Sequence, residues 1–130
     1  MGLNQERVIA PEIRAGYNDS GSTIVKGKIV KLHSAGVPGT IRVGAAATDP
    51  LYGVAMADIP NGEYGDVQIG GVAIVLGGGV VAQGAQVTSD ADGDGVAAAS
   101  GNSTIGTALT AGANTEYFEV ELTGPGGEAN

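Results

Sequence analysis

The sequence contains no cysteine, no tryptophan, one phenylalanine and four tyrosines among its 130 residues. Without cysteine there is no disulfide framework, no thiolate nucleophile and no cysteine-based zinc site. With so few aromatics, the core must be built from small and β-branched side chains. Charge is also scarce, at 15% of residues against an ordinary ~25%, and it is one-sided: 14 acids face 6 bases, for a net charge of −8. Such a balance argues against nucleic acid as a partner, because each phosphate contact calls for a Lys or Arg. The longest apolar run, Val72 to Ala82, is broken by three glycines and falls short of the ~18 residues that span a bilayer, so no membrane segment is expected. Met1 to Glu6 has neither a basic stretch nor an apolar one, and no targeting signal is read there.

Several chemistries lack their residues. His33 is the single histidine, and Ser34 is too close to it in sequence to serve as the nucleophile of a triad. Gly21 to Ile29 has the wrong spacing for a phosphate loop and places Ile29 where Ser or Thr must hold magnesium. Asp90, Asp92, Asp94 and Gly95 mimic the start of a calcium loop, but Gly101 stands where the bidentate Glu is required. That stretch reads better as a hairpin turn, since Asp and Gly tolerate positive φ. Glycoside hydrolysis needs two carboxyls facing each other across a cleft, and the aromatics that stack on sugars are nearly absent. No catalytic, cofactor-binding or metal-ligating residue is therefore assigned, and the chain is not read as an enzyme.

What is abundant is glycine, 24 of 130 where about 7% is usual, set between segments that alternate with period two. Lys28–Leu32, Thr40–Val43, Asp66–Ile69 and Phe118–Leu122 alternate in this way. In the last, Phe118, Val120 and Leu122 would face a core and Glu119 and Glu121 the solvent. Turn-forming clusters punctuate these runs, so the class expected is all-β, a single barrel-like or sandwich-like domain.

The chain also repeats itself. Residues 53–71 align without a gap on residues 106–124 at an offset of 53, with seven of 19 positions identical. Upstream, Lys26–Val30 echoes Gln83–Val87 at an offset of 57, so the second copy is shorter in its middle. Two copies are too few for a solenoid, which leaves one closed domain with two related halves, about 25–71 and 82–124. The expected organisation is an extended arm at 1–14, the β domain at 15–123 and a flexible end at 124–130.

Two stretches carry a family resemblance. One is Tyr52-Gly53-Val54-Ala55-Met56-Ala57-Asp58 through Gly62-Glu63 to Val67 and Gly71-Val72. The other runs from Gly84 and Val87 through Gly101-Asn102 and Ile105-Gly106 to Val120-Glu121-Leu122. Over about residues 16–123 the chain resembles the small capsid decoration, or cement, proteins of tailed bacteriophages. The resemblance implies a structural protein of the virion. It would be made in the host cytoplasm and bound to the outer surface of the assembled capsid, where it bridges neighbouring subunits of the major capsid protein, commonly as a homotrimer, without cofactor. Residues 2–14, if extended, reach about 43–47 Å, which makes Leu3, Arg7, Val8, Ile9, Pro11, Ile13 and Arg14 the candidate capsid-binding residues, acting by strand addition. The alternative expectation is a secreted or surface β-module binding calcium or glycan, led by Asp90, Asp92 and Asp94.

Overall fold

The computed structural model describes residues 11–33, 39–44 and 48–128. Among them there is no helix, and the all-β class expected from the period-two pattern is what the structure shows. Nine strands follow in order: β1 Glu12–Asn18, β2 Ile29–Leu32, β3 Thr40–Val43, β4 Leu51–Ala55, β5 Tyr64–Leu76, β6 Gln86–Ser89, β7 Gly95–Ala97, β8 Ser103–Ala108 and β9 Tyr117–Glu128.

The first five strands close on themselves. β3 lies between β1 and β2, β4 between β2 and β5, and β5 returns to pair with β1 in antiparallel register from Tyr17↔Tyr64 to Glu12↔Gly70. This is a five-stranded barrel, which removes the open sheet edges that otherwise invite aggregation. The remaining strands repeat the circuit: β6 pairs with β7 and β8, β8 with β9, and β9 with the second half of β5. A parallel bridge, Gly77↔Gly95, closes it, as the parallel pairing of Asn18 with Ile41 closes the first.

The repeat read from the sequence is thus a repeat in space, and its offsets recur in the hydrogen bonds. In the first half Gly27 N–H donates to Ala55 O, Ala55 N–H to Lys28 O and Met56 N–H to Asp66 O. In the second, Gly84 N–H donates to Ala108 O, Ala108 N–H to Ala85 O and Leu109 N–H to Glu119 O. The bridge Ile24↔Ile59 has its counterpart in Val81↔Gly112. The shorter second copy is explained by its connections: residues 90–94 replace 33–39 between the first hairpin's strands, and 98–102 replace 44–50 after it.

Each barrel has its own core. Ile24, Val30, Ile41, Tyr52, Ala55, Ile59, Val67 and Ile69 fill the first; a larger cluster including Val75, Val87, Ile105, Phe118 and Val120 fills the second. Burying a Val, Ile or Phe side chain stabilises by about 1.5–3 kcal/mol, so many small contributions replace a few large aromatics. Adjacent residues of β2 enter different cores, Ile29 the second and Val30 the first, and β4 divides in the same way. Those two strands are sandwiched, which is why Leu51–Ala55 is buried throughout rather than alternately. In β9 the expected alternation holds: Phe118, Val120 and Leu122 are buried, and Glu119 and Glu121 are exposed.

Both expected boundaries move outward. β1 begins at Glu12, inside the stretch assigned to the arm, because the open side of β5 pairs its backbone. β9 extends to Glu128, through Ser103↔Glu128 and Thr104↔Gly127, where a flexible end was expected from residue 124. The register shifts between Leu122 and Gly127, so Gly124-Pro125-Gly126 fall in the irregularity and the ladder resumes at Gly127 and Glu128, where backbone pairing needs no alternating side-chain pattern.

One turn is built twice. Glu63 N–H donates to Pro60 O and Glu116 N–H to Ala113 O, and the third residue of each turn has positive φ, 83° at Gly62 and 65° at Thr115. A β-branched residue in that region is strained. Thr115→Gly is therefore expected to stabilise the protein by about 1 kcal/mol, read as a higher midpoint in urea or heat; a lower midpoint would refute the strain.

Candidate functional site

The duplicated turns set the orientation of the tyrosines that follow them. Asn18 N–H donates to Glu63 O and Gly62 N–H to Asn18 O; at the other turn Gly77 N–H donates to Glu116 O and Thr115 N–H to Gly77 O. Asn18 is fully buried and all its polar atoms are used. Its Nδ2 donates to Ser22 O (2.8 Å) and Ile59 O (2.7 Å), and its Oδ1 accepts from Ser20 N–H and Oγ–H. Beyond the turns, Tyr64 and Tyr117 open β5 and β9 at equivalent positions, 60% and 51% exposed. The Tyr64 ring leans on Tyr17, with centroids 5.0 Å apart; the Tyr117 ring lies 5.9 Å from the Lys26 ammonium.

Carboxylates lie close to both tyrosines along the chain. Glu63 and Asp66 are exposed beside Tyr64, as are Glu116 and Glu119 beside Tyr117. Among the described residues none of these four is in an ion pair, whereas Arg14, Lys28, Lys31 and Arg42 each hold a carboxylate. The Arg42 guanidinium, whose Nε donates to Asp19 Oδ1 at 3.0 Å, holds the Asp19 carboxyl below its usual range. A carboxyl lowered in the folded state contributes stability above its unfolded pKa and loses it as pH falls through the folded value, so this contact weakens only below about pH 4.

Of the capsid-binding candidates, Leu3, Arg7, Val8 and Ile9 lie outside the described residues. Pro11 is exposed just before β1. Ile13 and Arg14 are in β1, opposite Gln68 and Val67. Ile13 is 44% exposed, and Arg14 Nη2 lies 3.5 Å from Glu12 Oε2 on the surface. The structure thus places these last two in the barrel wall rather than in an arm, and both are exposed there.

The aspartate trio comes together, with carboxylate oxygens within 4.8 Å of one another. Its bonds are those of a turn. Asp90 Oδ1 accepts the N–H groups of Asp92 (2.9 Å) and Asp94 (3.0 Å), and the Lys28 ammonium donates to Asp94 Oδ1 at 2.6 Å. Gly93 O also accepts Ile29 N–H, so this hairpin turn docks the second half onto the first. A cavity of about 210 Å3 where the two cores meet is lined by Lys26, Val54, Ala55, Met56, Gln68 and Ile74. The Gln68 amide is committed to Gly70 O and Val72 O, and the exposed Lys26 turns its ammonium to the Tyr117 ring. His33 sits at the end of β2, its backbone N–H donating to Thr40 O.

The exposed tyrosine turns thus form a duplicated acidic surface on a closed all-β frame. The phage cement protein family model matches residues 17–123. The chain belongs to that family. The cement-family match covers nearly all of the duplicated unit and starts downstream of Pro11, Ile13 and Arg14. The fold is similar to that of the head fiber gp8.5 N base of bacteriophage phi29, with a TM-score of 0.70 and 17% identity over 88% of this chain and 95% of that one. No curated protein matches the chain. Membership of that family gives a structural, capsid-associated role in a phage. Sequence reasoning had picked out Glu63 and Glu116 as two copies of one turn, but not Tyr64 and Tyr117 as the exposed groups beside them. The signal was present in the shared Asn-x-Glu-Tyr of residues 61–64 and 114–117.

Proposed function

We propose that this protein decorates the outer surface of an assembled phage head and holds neighbouring copies of the major capsid protein together, docking as a homotrimer. The family match over residues 17–123 is the observation that carries this reading. Leu3, Arg7, Val8, Ile9, Pro11, Ile13 and Arg14 make the capsid contact: Leu3, Val8 and Ile9 add a strand or fill pockets on the capsid, and Pro11, Ile13 and Arg14 meet it from the start of the barrel wall. Three arms on one trimer act with avidity, so each contact is individually modest. The net charge of −8 suits an outer face, since a protein lining the interior would meet packaged DNA with like charge.

The test uses heads of the parent phage that lack the protein. Purified protein added to them is expected to co-sediment in a fixed, saturable ratio and to raise the temperature at which the heads release DNA. Protein that saturates the heads without changing that temperature would leave attachment but remove stabilisation. Protein that stays in the supernatant would refute the reading.

A further inference from the structure

The tyrosine-bearing turn occurs twice, and the two copies are separated by the length of β5. Tyr64 opens that strand, and Tyr117 pairs with Leu76 at its other end. Twelve steps at about 3.3 Å put the two tyrosines at most about 40 Å apart. Each lies on the outward side of its strand with a carboxylate two residues on, Asp66 after Tyr64 and Glu119 after Tyr117. Each follows an exposed glutamate in a turn held by the same backbone bonds, Gly62 and Glu63 to Asn18 in one half, Thr115 and Glu116 to Gly77 in the other. Each ring has one near neighbour and stays exposed, Tyr17 beside Tyr64 and the Lys26 ammonium over Tyr117.

We infer that the two turns are equivalent binding surfaces, and that one chain uses them to grip two copies of the same capsid subunit at once. This rests on the proposed decoration role. A surface kept twice in one chain, down to its hydrogen bonds, fits a partner that is itself present in identical copies, as a capsid lattice is. The patch on each copy is basic: Glu63 and Asp66, or Glu116 and Glu119, meet it with carboxylates no cation of the described chain has claimed. The tyrosine supplies the anchor, a rigid exposed ring that buries apolar area on contact; the Tyr117 ring already carries the Lys26 ammonium, so the attraction to a basic patch comes from the carboxylates. Joining two such contacts in one chain converts the second into an intramolecular event.

The experiment measures binding of full-length wild type, Tyr64→Ala, Tyr117→Ala and the double variant to undecorated heads of the parent phage, across a salt series. Each single change is expected to lower apparent affinity about fivefold and by similar amounts, and the double change about 25-fold. Affinity should fall as salt rises. Thermal melts check that each variant folds. The charge reversals Glu63→Lys and Glu116→Lys, at exposed positions, are expected to reproduce the pattern and serve as second probes. If only one half responds, or neither does, while wild type still coats the heads, the two-site grip is overturned and the decoration role stands. If wild type itself does not bind, both fall.

Discussion

Gly106→Ala is expected to destabilise the protein by at least ~3 kcal/mol. Gly106 sits in β8 against Leu122 of β9, and a Cβ there would be driven into the main-chain carbonyl of Glu121, with the Glu121 carbonyl carbon at 2.8 Å and Leu122 Cα at 2.9 Å. These are backbone atoms in a hydrogen-bonded ladder, so no side-chain rotation relieves the overlap. Gly53, its counterpart in the first half, is opposed in the same way by the carbonyl of Gln68 and by the Val67 side chain at 2.6 Å. The same residue is thus kept at the same place in both copies for one steric reason. Gly79→Ala is the control: its nearest neighbour would be Val96 Cγ1 at 3.9 Å, and its stability should stay within about 0.5 kcal/mol of wild type. Urea unfolding of the three proteins decides it. Gly106→Ala with a midpoint like that of Gly79→Ala would show that the strands are not as closely apposed as described.

Removal of residues 2–10 is expected to cut binding to undecorated heads at least tenfold, ~1.4 kcal/mol, and on the order of a hundredfold where several arms act together. The same truncation should leave the melting temperature within a few degrees. The cut ends at residue 10 because Glu12 and Ile13 are already paired with Gly70 and Gln68 in the barrel wall; a deletion through residue 13 would remove part of a ladder and confuse folding with docking. Ile9→Asp should act in the same direction with a smaller effect, since it places a charge where an apolar contact is proposed. Truncated protein that still coats heads at wild-type concentration would move the anchor off these residues. A truncated protein that melts far lower would make them part of the core.

The parts of this fold that were legible in the sequence are those where side chains do the pairing. Phe118, Val120 and Leu122 alternate with glutamates because one side of β9 faces the core and the other faces water, and the structure shows that division. The 53-residue offset was legible because Gly53 and Gly106, and Val67 and Val120, meet the same close quarters twice. The Asp90–Asp94 turn was legible because its residues tolerate the backbone it needs. What remained hidden was set by the backbone. Asn18 and Gly77 have nothing in common as residues, yet each bonds the tyrosine turn of its half through its own N–H and C=O. The repeat therefore begins one strand earlier than the sequence suggested, with β1 in the first half and the second part of β5 in the other. Period-two reasoning also assumes that a strand has a wet side, which is why the continuous burial of Leu51–Ala55 between two cores was not foreseen. For the candidate site, the repeated glutamates were visible, but exposure was not: a tyrosine in a chain with few aromatics reads as core until its surroundings are known.

The sharing of β5 has a mechanical consequence. Its first part is laddered to β1 by six residue pairs and its last part to β9 by six more. A load applied between the two ends of the molecule runs along that strand, and the hydrogen bonds lie across the direction of pull. They are then loaded in shear and must give way together, whereas the same bonds pulled apart from one end would open singly. Resistance to force depends on the rate of unfolding rather than on equilibrium stability. A protein of modest thermodynamic stability, with a core made of valine and isoleucine, can in this geometry still act as a stiff strap between whatever is attached at its two ends.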